Sequence, residues 1–291
     1  MPRLILVFFV ATASLCAQSS PLMLGVLEDR IGNYAGDPHY RSVRAVFYKD
    51  GADWKPFPTD CLQEDCLARL SADFPRETTW TIAFNGRPLG EVRTRVPIVL
   101  DSYSEAGSRH ILTQGKLPTV GQPTDDFAGF AGEAVLRPLV AISQPNFKDP
   151  DLWKPVALDP STTAIVRREF RKKYPKINDC EQEEVRDYQD SDIHVLSSYA
   201  SKNRWRLVLV SLKGCDIDDL SGDGLSLVSF TIDPASTVHY LAKNLRLVDA
   251  GDYDNTGHSQ LLFMIDDYNR GGYVLYSDDF QQHVTFEYSF H

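Results

Sequence analysis

The sequence predicts a mainly β fold, propeller-like or of stacked antiparallel β-sheets, with two short helices. Short runs rich in β-branched and aromatic residues recur between clusters of Gly, Pro, Asn and Asp. Asn85-Gly86 follows one such run and is a strong two-residue hairpin signal. Only two stretches carry helix start and stop signals.

The chain opens with Arg3, an unbroken apolar run from Leu4 to Val10, and small residues at Ala11, Ala13, Ser14 and Ala17. This order reads as a secretory signal peptide over residues 1–17, with cleavage after Ala17 favoured over Ala13. A lipid anchor on Cys16 is the competing reading, but Leu15 stands before it where a small residue is expected. The apolar run is far short of the roughly 20 residues that cross a bilayer, so no membrane span is expected. The expected location is secreted or periplasmic.

Four cysteines then remain, Cys61, Cys66, Cys180 and Cys215. In an oxidising compartment they suit two disulfides, and of the three pairings the local ones are preferred, Cys61-Cys66 and Cys180-Cys215. Zinc is the alternative, disfavoured because no CxxC pair or nearby histidine supplies ligand spacing. The net charge of −10 argues against nucleic acid as a partner, since phosphate binding needs a basic face.

The expected strands are Val43 to Tyr48, Thr79 to Phe84, Arg206 to Leu212, Leu225 to Ile232, Gln260 to Ile265, Gly272 to Tyr276 and Val284 to Phe290. The last alternates cleanly, with Val284, Phe286, Tyr288 and Phe290 on the face that should be buried. An outer-membrane barrel ends similarly but needs many such segments, which the middle of the chain lacks. One helix is expected from about Cys61 to Leu70. The other spans about Thr162 to Tyr174, opened by Asp159-Pro160 and closed by Pro175, with Val166, Phe170 and Tyr174 facing the core.

The basic outer face of that second helix, Arg167, Arg168, Arg171, Lys172 and Lys173, precedes an acidic stretch, Asp179 to Asp187. The two runs are expected to be solvated and to neutralise one another in part. Between Ala106 and Pro160 Gly and Pro are dense, so residues 18–160 read as a β-rich region with an irregular segment. Residues 161–291 read as a helix followed by a β-repeat region.

The chemistry concentrates in Asp252-Tyr253-Asp254-Asn255-Thr256-Gly257-His258-Ser259-Gln260. Oxygen-bearing groups fall at every second position around a glycine at the sixth, the spacing with which a loop surrounds a hard cation. Asp252, Asp254 and Thr256 offer side chains, His258 its carbonyl, and Gln260 an amide. Phe263 stands where an EF-hand has its bidentate glutamate, so this is no EF-hand. A weaker copy is Asp219, Ser221 and Asp223 around Gly224.

At these residues the sequence resembles the FG-GAP or VCBS repeat of integrin-like β-propellers, whose loop D-x-[DN]-x-D-G-x-x-[DE] leads into a strand. The resemblance covers about residues 206–280. It implies a propeller-like C-terminal part and calcium as cofactor. Thr256 and Gln260 replace the family's acids at positions five and nine, and Leu227 replaces the second. With two carboxylates per loop, affinity on the order of 0.1 to 1 mM is expected. The competing reading is an Asp/Gly turn bonded to its own backbone.

No G-x-S-x-G elbow, H-E-x-x-H or phosphate loop is present, and the seven histidines are scattered singly. The acid pairs Asp125-Asp126, Asp218-Asp219, Asp266-Asp267 and Asp278-Asp279 cannot each make a two-carboxyl site, because neighbours on a strand point to opposite faces, and they read as turn residues. Trp54, Trp80, Trp153 and Trp205 suit either a core or a sugar- or peptide-binding surface, the core being favoured. The functional expectation is a secreted noncatalytic β-repeat module that binds a protein or glycan partner; the alternative is a secreted hydrolase using dispersed acids from the central segment.

Overall fold

A computed structural model of the chain describes residues 21–30, 40–57, 77–94, 110–114, 117–118, 138–179, 184–212, 226–267 and 270–289. The segment read as a signal peptide, the helix expected at Cys61 to Leu70, all five cysteines with both expected disulfides, and the Asp219 loop lie outside these residues.

The N-terminal strands are β1 Met23–Arg30, β2 Tyr40–Asp50, β3 Asp53–Pro56, β4 Thr78–Phe84, β5 Arg87–Thr94, β6 His110–Gln114 and β7 Leu139–Ile142. They form one seven-stranded antiparallel sheet in the order β1-β7-β4-β5-β6-β2-β3, and β1 also pairs with β2, so the sheet curls back on itself. Asn85-Gly86 makes the turn between β4 and β5, with φ of 50° and 69°, the left-handed pair that a two-residue hairpin requires.

The C-terminal half begins with β8 Lys154–Pro155 and helix α1 Pro160–Lys173. A small hairpin follows, β9 Lys176–Asp179 with β10 Glu184–Asp187. Next come two consecutive four-strand meanders. The first is β11 His194–Ala200, β12 Arg206–Leu212, β13 Ser226–Ile232 and β14 Val238–Lys243, extended by β8 into a five-stranded sheet. The second is β15 Leu245–Gly251, β16 Gln260–Asp267, β17 Arg270–Ser277 and β18 Gln282–Ser289. The chain is thus mainly β, built of several antiparallel sheets. Among the described residues α1 is the one helix, and it is too short to cross a membrane.

Side-chain alternation explains how the sheets stack. Along β16, Leu261, Phe263 and Ile265 join Leu207, Leu209 and Leu227 of the five-stranded sheet, whereas Leu262 joins Leu24, Trp80 and Val140 of the seven-stranded sheet. On β17, Val274 and Tyr276 take the first side, and Tyr273 and Leu275 the second. Period-two geometry therefore gives the second meander two buried faces, which is why its strands read as nearly continuous apolar runs.

The outer face of the five-stranded sheet, Val208, Val210, Val228 and Phe230, is covered by Val166 and Phe170 of α1. The Asp159 carboxylate caps that helix by accepting the Thr162 N–H at 2.8 Å, and Pro160 fills the first turn. The basic face of α1 is neutralised in part; of the acids expected to do so, Glu181 and Glu183 lie outside the described residues, and Lys173 sits over the Tyr240 ring at 4.6 Å. Arg167 and Arg171 reach Asp190, while Arg168 and Lys172 reach Glu169.

Candidate functional site

The loop from Asp252 to Ser259 joins β15 to β16. Asp252 is buried, and its two carboxylate oxygens accept the N–H groups of Thr256 and Gly257, each at 2.9 Å. Asn255 and Gly257 have φ of 57° and 85°, so the backbone makes the sharp turn expected of the glycine.

The other predicted positions meet at one point. The Gln260 amide nitrogen donates to Asp254 Oδ1 at 2.8 Å, with the His258 carbonyl at 3.3 Å and Thr256 Oγ1 at 3.4 Å. Its amide oxygen accepts the Tyr253 N–H at 2.7 Å, which fixes the amide's orientation. Asp254 Oδ2 accepts a charged hydrogen bond from Lys49 Nζ at 2.6 Å. Burial pushes the Asp254 carboxyl up, but the bonds from Lys49, Thr256 and Gln260 outweigh it and hold the group below its ordinary range.

Lys49 comes from β2 and lies 5.2 Å from the centre of the Trp54 ring. Sequence reading missed it, because nothing near Lys49 in the chain announces a partner so distant in sequence. Among the described residues no group of three or more His, Cys, Asp or Glu side chains is arranged to hold a metal ion.

Ser259 connects this loop to a second feature. Its N–H donates to Asp151 Oδ2 at 2.8 Å and its hydroxyl to Asp149 Oδ1. Asp149 also accepts the N–H groups of Asp151, Leu152 and Trp153 at 3.0, 3.0 and 2.6 Å, which folds the segment into a tight turn and presents Trp153. Burial pushes the Asp149 carboxyl above its ordinary range despite those bonds.

Trp153 packs edge-on to Phe280 at 6.0 Å, and Trp205 lies 5.6 Å from the same ring. Tyr276 completes the group, 6.0 Å from Phe280. The two tryptophans are only partly buried, so they do not share the role of Trp80, which is fully buried with its indole N–H on Thr94. The core expectation holds for Trp80; Trp153 packs against the core between the two meanders while staying partly exposed, and Trp205 is partly exposed beside Phe280.

Beside the rings lies a shallow, open depression lined by Asp151, Ser201, Asn203, Ser259 and Asp279 together with Trp153, Tyr276 and Phe280. Asn203 donates to Asp151 Oδ1 at 2.6 Å. The loops that form its rim are conformationally unusual. Nine non-glycine residues have positive φ among the described residues, and five of them, Leu152, Arg204, Asp278, Asp279 and Phe280, belong to the three loops around this depression. For Leu and Phe that backbone is costly, and such strain gathers where a surface is held in a set shape. Leu152 is also 60% exposed at the rim.

Comparison with known proteins finds no matching family model, no matching curated protein and no matching solved structure.

Proposed function

We propose that the chain is an exported, noncatalytic β module that binds a glycan in the depression between Trp153, Phe280, Asn203 and Asp279. The observation that carries this reading is the convergence of three strained loops on one patch that combines aromatic rings with Asp, Asn and Ser side chains. A sugar ring presents C–H groups on its faces and hydroxyls on its rim. Aromatic rings suit the first, and carboxylate or amide pairs such as Asp151 and Asn203 suit the second.

The depression is shallow and open, so it suits one ring of a longer saccharide chain lying across the surface rather than an enclosed small molecule. A protein partner would require a wider interface than these loops define.

The repeat resemblance fits this reading through the two consecutive four-strand meanders, which stack face to face as neighbouring propeller blades do. The hydrolase alternative has its best support in Asp149, a carboxyl of raised affinity for protons next to the depression. That carboxyl is engaged by three backbone N–H groups and the Ser259 hydroxyl, an arrangement suited to holding a turn.

A glycan array probed with the mature protein tests the proposal. Binding to a defined class of saccharide, lost in Trp153→Ala and Asn203→Ala variants of unchanged melting temperature, supports it. Binding that both variants retain places the ligand elsewhere, and hydrolysis of a bound saccharide returns the hydrolase reading.

A further inference from the structure

We propose that the Asp252 loop carries its own cation: the Lys49 ammonium, assisted by the Gln260 amide, takes the charge and the coordinating oxygens that a calcium ion takes in loops of this spacing. The inference stands on geometry independent of the glycan reading.

Calcium needs six to eight oxygens at about 2.3 to 2.6 Å, drawn here from Asp252, Asp254, Thr256, the His258 carbonyl and position nine. In this chain both Asp252 oxygens accept backbone N–H groups, and position nine is an amide whose oxygen is held by the Tyr253 N–H, so its nitrogen faces inward and donates to Asp254, Thr256 and the His258 carbonyl. A donor thus stands where the repeat has an acceptor. Asp254 Oδ2 is taken by Lys49 at 2.6 Å. The ammonium is held from its other side by the Trp54 ring at 5.2 Å, a contact that favours a positive charge at this spot.

The substitution does something that a metal ion does not. Lys49 belongs to the seven-stranded sheet and Asp254 to the loop of the last meander, so the internal cation ties two sheets together. Further bonds run beside it: the Gln144 amide donates to the Tyr253 carbonyl at 3.1 Å, Asn255 donates to Gln144, and the Asp252 N–H donates to the Lys148 carbonyl at 2.9 Å. A loop that would need a metal ion to close is instead closed by folding itself, so its order does not depend on the calcium level outside the cell.

The test compares wild type, Lys49→Met, Lys49→Arg and the double variant Lys49→Met/Gln260→Glu, by calcium titration calorimetry and by melting in EDTA and in calcium up to about 10 mM. Wild type is expected to bind no calcium and to melt at one temperature throughout. Lys49→Met is expected to melt lower and Lys49→Arg, which keeps the charge, close to wild type. The double variant, with a carboxylate at position nine and no ammonium, is expected to melt low in EDTA and to gain saturable calcium binding with a rise in melting temperature. Saturable calcium binding by wild type, lost in Asp254→Ala, would overturn the proposal, as would a Lys49→Met protein as stable as wild type. Should the double variant fail to fold in EDTA, Gln260→Glu alone serves: it is expected to lower stability without calcium, and unchanged stability contradicts the inference.

Discussion

Arg44 Nε lies 3.0 Å from each carboxylate oxygen of Glu28, in a completely buried position between the first sheet and the last meander. Tyr273 of β17 donates its hydroxyl to the same carboxylate, and the guanidinium carbon sits 4.3 Å from the centre of the Tyr288 ring of β18. A charge pair this deep is costly to desolvate and strongly destabilising when broken on one side, because the survivor stays buried. Glu28→Gln or Arg44→Met is therefore expected to cost about 3–5 kcal/mol in urea unfolding. The pair Glu28→Leu/Arg44→Met is expected to cost clearly less than the sum, and a double-mutant cycle measures the difference.

The same cluster sets an alkaline limit. Burial first, and then the charge of Glu28, push the Tyr273 hydroxyl well above its ordinary value of about 10. The unfolded chain releases this proton from about pH 10 upward while the folded chain keeps it. This contribution is whole below about pH 10 and is lost as pH rises towards the folded value. Stability measured between about pH 9 and 11 should fall, and Tyr273→Phe should flatten the fall. An equal slope in the variant would assign the effect to another group.

The Lys49 contact acts on the acid side. Asp254 is held below its ordinary carboxylate value of about 3.8, so its contribution is present above that pH and lost as pH falls through the lower folded value. Wild type should lose more stability than Asp254→Asn as pH falls from about 5 to 2. Parallel pH profiles would show that the contact is solvated and weak.

Gly86 couples the first sheet to the aromatic patch. Its N–H donates to Asp249 Oδ1 at 3.2 Å, its φ is 69°, and a Cβ there would come within 2.6 Å of the Asp149 Cβ. Gly86→Ala should cost more than the roughly 1 kcal/mol of a left-handed alanine alone, because the turn that presents Trp153 must also shift. Thermal unfolding measures the cost, and a change in tryptophan emission reports the shift. A small, purely local effect would show the two turns to be independent.

The parts that were legible in the sequence are those whose cause is local. Asn85-Gly86 needs only its own φ preferences, and α1 needs only Asp159, Pro160 and Pro175. The run from Leu261 to Ile265 is apolar throughout because both faces of β16 are covered, and unbroken hydrophobicity survives in one dimension. The calcium-type spacing was equally visible, yet what fills the loop was not. That depends on Lys49, which reaches the loop only after two sheets have packed, and on which end of the Gln260 amide the Tyr253 N–H selects. Trp153, Trp205 and Phe280 likewise meet only through the pairing of β8 with β11 and the stacking of the two meanders. Asp278-Asp279 was legible as a turn, but its left-handed backbone, which carries Phe280 onto Trp153, has no local signature; Asp266-Asp267, read the same way, instead ends strand β16, where it pairs with Gly271 and Arg270.

The binding reading is tested most directly by tryptophan fluorescence during saccharide titration of the mature protein, with Trp153→Phe as control. Trp153 lines the proposed site and Trp205 touches its Phe280 ring, while Trp80 is sealed in the core, so a bound sugar is expected to change the emission of Trp153 first. The account predicts a saturable change that shrinks sharply in the variant. A saccharide that binds by calorimetry yet leaves the emission unchanged, or a change identical in Trp153→Phe, would contradict it.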